Sequence, residues 1–124
     1  MNKLTTSILL TFVLISTGCS LMSLSVPSMY DPNESEGIIN VVNESYQLDC
    51  KNPSVADLKE SIQWMTLYTA AKGSSDVEKN ITIMSVTASK LNDDMSEVYC
   101  GLKRKILIAM SEDTAESIMK RYAQ

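Results

Sequence analysis

Apolar residues recur at steps of three and four along most of the second half of the chain, and that period predicts helices. Val55, Leu58, Ile62, Met65 and Tyr68 form a first stripe. Ser54 stands ready to cap it, with Asp57 three residues on, and Gly73 supplies a left-handed stop. A second stripe runs through Val77, Ile81, Met84, Ala88 and Leu91, with Ser75 and Glu78 repeating the capping pattern. Asn92, Asp93 and Asp94 break that helix and cap a third, in which Met95, Val98, Tyr99, Leu102, Ile106 and Ala109 share a face. Ser111 is read as the cap of a fourth, with Ala115, Ile118, Met119 and Tyr122 on one side.

The earlier stretch GIINVVNESYQ, residues 37–47, fits two periods. Ile38, Val42 and Tyr46 suit a helix, while the β-branched run from Ile38 to Val42 suits a strand. Helix is favoured, because a lone short strand has no partner for its backbone groups. Links of two to four residues make sequence neighbours antiparallel. The expectation is an all-α fold, a small disulfide-stapled bundle of four to five helices over 36–124.

The front of the chain is of another kind. Lys3 precedes an apolar run from Ile8 to Ile15, and the small residues Ser16, Thr17 and Gly18 follow. A charged start, a short apolar centre and a small-residue cleavage zone read as an export signal over residues 1–18. The run is shorter than the roughly 20 apolar residues a spanning helix needs. Residues 19–35 are rich in Ser, carry Pro27 and Pro32, and read as a flexible tether.

The segment Ser16-Thr17-Gly18-Cys19 resembles the lipobox of bacterial lipoproteins, with Ser16 where that class usually has Leu. The resemblance implies cleavage before Cys19 and attachment of fatty chains such as palmitate to it. It also implies a membrane partner through the N-terminal lipid. Ser20 after the Cys implies transport to the outer membrane, where Asp would favour the inner one. The competing reading is plain secretion, with Ser16 and Gly18 as an ordinary cleavage site. Three Asn-x-Ser/Thr triplets, at Asn33, Asn43 and Asn80, would suit a secreted eukaryotic protein. The count of three cysteines favours the lipoprotein. If Cys19 carries lipid, Cys50 and Cys100 remain to pair in an oxidising compartment; if it does not, one thiol is left over. Antiparallel helices place Cys50 and Cys100 at the same end of the bundle.

Charge and chemistry then narrow the function. Beyond residue 18 the chain keeps ten of its eleven basic residues and all fifteen acidic ones, a side-chain balance of −5. That argues against nucleic acid as a partner. Asp31, Glu34, Glu36, Glu44, Asp49, Asp57 and Glu60 face only Lys51 and Lys59 over their stretch, which reads as a solvated acidic face. The chain has no His, so the commonest general base and metal ligand is missing. It has no glycine-rich phosphate loop. Asp93 and Asp94 read as helix caps rather than a cation site. The expectation is a non-catalytic protein with no catalytic residues, no metal and no cofactor.

Eight Met residues are present, and Met65, Met84, Met95 and Met119 fall on the apolar stripes as core filler. Trp64 lies off the first stripe and is expected near the surface, half-buried or as an anchor for a partner. Lys103, Arg104 and Lys105 form the one basic run, either solvated or a docking patch for an acidic surface. Size, lipobox and helical body together resemble the short entry-exclusion lipoproteins of mobilisable plasmids. That resemblance implies a partner in the envelope or the conjugation apparatus. The alternative is a stress chaperone or a toxin-immunity inhibitor, since LDC before one helix and VYC inside another are similar in layout to small periplasmic acid-stress chaperones.

Overall fold

The computed structural model describes residues 31–123. The signal segment 1–18, Cys19 and most of the stretch read as a tether lie outside the described residues. Four helices make up the body: α1, Pro32–Gln47; α2, Ala56–Lys72; α3, Glu78–Ser89; and α4, Glu97–Tyr122. α1 packs on α2 and α4, and α3 packs on the same two, so the helices form an antiparallel ring. The all-α bundle with its staple is therefore observed, and Cys50 and Cys100 are joined with their Cα atoms 5.5 Å apart.

The ambiguous stretch 37–47 is helix, and the helix begins earlier than expected. Asp31 accepts hydrogen bonds from the backbone N–H groups of Asn33 and Glu34, and Pro32 takes the first helical position. Both features favour a helix start, since Pro has no N–H to leave unpaired there. Residues 31–35, read from sequence as the end of the tether, thus belong to the folded body. Glu34 and Ser35 are buried.

Two caps form differently from the sequence reading. Ser54 and Ser75 do not cap; Val55 and Val77 occupy the cap positions and offer no side-chain oxygen. The Val55 N–H is instead satisfied from across the bundle, donating to Asp93 Oδ1 at 3.0 Å. Asp93 thus serves the start of α2, while Ser96 caps α4 by accepting from the Tyr99 N–H. With the starts displaced, the links cover 48–55, 73–77 and 90–96, longer than expected. Gly73 does end α2, at φ 75° and ψ 35°, and its N–H turns back to Thr69 and Ala70.

The expected third and fourth helices are one. Ser111 lies inside α4 and donates to the Ile108 carbonyl. The inward stripe of α4 is Cys100, Leu107, Ser111, Thr114 and Ile118. Val98, Leu102 and Ile106, the residues picked for the core, point outward, with Leu102 58 % exposed. Two ties fix this rotation: the disulfide at Cys100 and the ion pair of Arg121 with Glu34. Ser111 and Thr114 bury because their hydroxyls bond to carbonyls of their own helix, leaving only a small apolar surface. The core itself holds Ile38, Val41, Leu58, Ile62, Met65, Val77, Ile81, Met84, Leu91, Leu107 and Ile118. Met95 is partly buried against that core and Met119 is exposed.

Candidate functional site: an acidic groove beside Trp64

Between α1 and α2 lies an open groove of about 460 Å³. α1 contributes Glu36, Asn40 and Glu44, one helical turn apart on a single face. α2 answers with Asp57, Glu60, Ser61 and Trp64, at the same kind of spacing. No Lys or Arg lines the groove. Glu44 Oε2 is buried and has no hydrogen-bond partner among the described residues. Lys59, the nearest base in sequence on α2, turns away and donates to the Leu91 carbonyl at 3.2 Å.

Trp64 is placed by its neighbours. Its ring stacks on Tyr68 with centroids 4.7 Å apart and planes 14° from parallel. On the α1 side it takes the space over Gly37, where a Cβ would meet Trp64 Cζ3 at 2.3 Å and Met65 Sδ at 2.6 Å. Gly37 is thus required for close approach of the two helices. The indole nevertheless stays 43 % exposed. An aromatic ring held on two sides and open on the rest loses little conformational entropy when a partner covers it.

One end of the bundle is closed by a buried polar clamp. Glu34, in the first turn of α1, is fully buried. Its Oε2 accepts from Lys72 Nζ at 2.6 Å, Arg121 Nη1 at 2.7 Å and the Tyr122 hydroxyl at 3.0 Å. Its Oε1 accepts from the Ser74 hydroxyl at 2.7 Å. Arg121 also forks onto Asp76, with Nη2 at 2.6 Å from Oδ1 and Nε at 3.0 Å from Oδ2. Asp31 Oδ2 accepts from the Tyr68 hydroxyl at 2.7 Å and lies 3.2 Å from Lys72 Nζ. The Tyr68 bond, aided by Lys72, holds Asp31 down to about 2. Burial works against the charge on Glu34, but the bonds from Lys72, Ser74 and Tyr122 outweigh it and its pKa is lowered. Lys72 is raised by the same bonds, again against burial. Each polar group of the clamp answers another, so the clamp fixes the start of α1 against the ends of α2 and α4.

No protein-family model, curated protein or solved structure matches this chain. Its function is therefore argued from its own residues.

The three residues of the basic run have different surroundings. Arg104 is used internally: Nη2 donates to the Tyr46 carbonyl at 2.7 Å and Nε to the Ser45 carbonyl at 3.3 Å, satisfying the end of α1. Lys103 lies over the Tyr99 ring, 5.1 Å from its centroid. Lys105 is exposed. Trp64 is where the sequence placed it, near the surface; Cys19 lies outside the described residues. The carboxylates of the groove were seen only as a solvated acidic face. The stronger signal was their spacing: Glu36, Asn40 and Glu44 on one helix, Asp57, Glu60 and Trp64 on the next. Among the described residues no three such groups converge closely enough to hold a metal ion. No helix among them is long and apolar enough to cross a membrane.

Proposed function

We propose that this chain is a lipid-anchored, non-catalytic protein of the bacterial cell envelope that binds and blocks a macromolecular partner. The activity we assign to it is exclusion of an incoming plasmid at the recipient cell. The groove between α1 and α2 is its working face. The observation that carries this reading is Trp64, an indole seated over Gly37 and stacked on Tyr68 yet left 43 % exposed. Rigid, half-exposed aromatics of this kind are the usual energetic centres of protein contacts.

The address rests on the sequence. Lipid on Cys19 fixes the chain to the membrane, and Ser20 directs it to the outer one. The twelve residues from Cys19 to Tyr30 can span up to about 40 Å, far enough to hold the bundle clear of the lipid surface. The disulfide suits an oxidising compartment.

Recipient cells expressing the full chain should receive a related mobilisable plasmid several-fold less often than cells with an empty vector. The Cys19→Ser variant should lose that effect. Equal transfer into both recipients, with the protein present in the membrane fraction, would refute the assignment.

A further inference from the structure

We infer that the groove between α1 and α2 receives a basic segment of a partner protein, one carrying at least two Lys or Arg side chains. This deepens the docking reading above and rests on it.

Charge complementarity names the occupant. Glu36, Glu44, Asp57 and Glu60 all line the groove and no basic residue does. These carboxylates are spread rather than gathered. Glu36 and Glu44 are separated by about 12 Å along the axis of α1, from the rise per residue of a helix. No three of them converge on a point where a metal ion could sit. A ligand that satisfies them must carry several positive charges at intervals, as a peptide segment does. Glu44 also lines the groove, and its Oε2 is buried with no hydrogen-bond donor among the described residues. The open rim of Trp64 at the same groove offers a ring face or edge to a guanidinium or ammonium group. Residues 19–30, the segment that leads into α1, contain no Lys or Arg to offer the groove. Its basic run on α4 is partly committed, with Arg104 bound to the end of α1.

Trp64 is the only tryptophan in the chain, so its fluorescence reports on this groove alone. The full-length protein, purified from membranes in a non-ionic detergent, is titrated with a dodecapeptide of three Lys-Ala-Ala-Arg repeats. The expected result is a saturable change in Trp64 emission that is absent with a matched peptide in which Glu replaces every Lys and Arg. The double variant Glu36→Gln with Glu60→Gln should bind about tenfold more weakly, equivalent to about 1.4 kcal/mol. Glu97→Gln with Asp113→Asn removes the same charge from exposed positions on α4 and should change affinity less than about twofold. Both double variants touch exposed side chains, and matching thermal melts confirm that each is folded.

The inference is overturned if Trp64 emission does not respond, if both double variants weaken binding equally, or if spermine binds as tightly as the peptide. It is also overturned if the groove variant binds like the unaltered protein. Failure here with retained plasmid exclusion would leave the docking reading standing and remove only the basic occupant.

Discussion

Trp64 occupies the space that a side chain on Gly37 would need, its Cζ3 only 2.3 Å from where that Cβ would be. Two helices, one glycine and one indole therefore form a single fitted joint, and the groove exists because the joint holds α1 and α2 together beside it. Helix propensity favours Ala over Gly by about 1 kcal/mol, so the fitted contact must outweigh that preference.

This gives a pair of substitutions with opposite signs. Gly37→Ala should destabilise by about 1–3 kcal/mol, because the indole and Met65 must move. Gly101→Ala, inside α4 with open space around its Cβ position, should stabilise by about 0.5–1 kcal/mol. Urea melts of the two variants check both, and Trp64 emission should shift only in the first.

Removing the carboxylate of Glu34 leaves Lys72 and Arg121 without the group that both address. Glu34→Ala should cost about 3–5 kcal/mol, as for other broken buried pairs. Glu34→Gln keeps the shape and should cost less, which serves if the Ala variant does not fold. Equilibrium unfolding of either variant provides the measurement, and a loss below about 1 kcal/mol would show the clamp to be dispensable.

The same clamp sets a pH dependence. Asp31 is held at about 2 when folded, and Glu34 is lowered as well. Unfolded, these groups titrate near 4. A carboxylate depressed in the folded state stabilises above its unfolded pKa and loses that contribution as pH falls through the folded value. Stability should be flat from pH 7 to about 5 and fall from there toward pH 2. In Asp31→Asn the fall should be shallower and the stability at pH 7 lower. Lys72 is raised and stays protonated throughout this range, so the slope comes from its carboxylate partners. Chemical melts at a series of pH values test the slope.

Cys50 and Cys100 close a loop with a sequence separation of 50. On the chain-entropy account that stabilises by about 4 kcal/mol. Reduction, or Cys50→Ser with Cys100→Ser, should therefore lower the urea midpoint strongly. An unchanged midpoint would show that the bundle stands without its staple.

Arg104 and Lys105 separate structure from surface within one basic run. Arg104→Ala should destabilise by about 1–2 kcal/mol, since it strips a charged donor from the last carbonyls of α1. Lys105→Ala should stay within about 0.5 kcal/mol. Thermal melts of the two single variants make the comparison.

Stripes with a single dominant period were readable from sequence: Leu58, Ile62 and Met65 on α2, and Ile81, Met84 and Ala88 on α3, are all core. α4 was not, and the reason lies in its composition. Val98, Leu102 and Ile106 make a regular apolar stripe, yet the inward side is Cys100, Leu107, Ser111, Thr114 and Ile118. A hydroxyl bonded to its own helix buries at little cost, and no hydropathy pattern records that. The start of α1 escaped notice because Pro32 reads as a breaker unless Asp31 is recognised as its cap. Trp64 was identified as a surface aromatic, but the groove around it depends on two helices meeting at Gly37, a tertiary fact. Asp93 shows the same limit: its acceptor serves a helix start 38 residues away in the chain.

The most direct test reverses the charge of the groove in living cells. Glu36→Lys with Glu60→Lys leaves the joint of Gly37 and Trp64 intact, and recipients carrying it are compared with recipients carrying the unaltered protein for plasmid transfer frequency. The account predicts that the variant reaches the membrane at normal abundance, melts normally and no longer lowers transfer. A variant that excludes the plasmid as well as the unaltered protein does would contradict it.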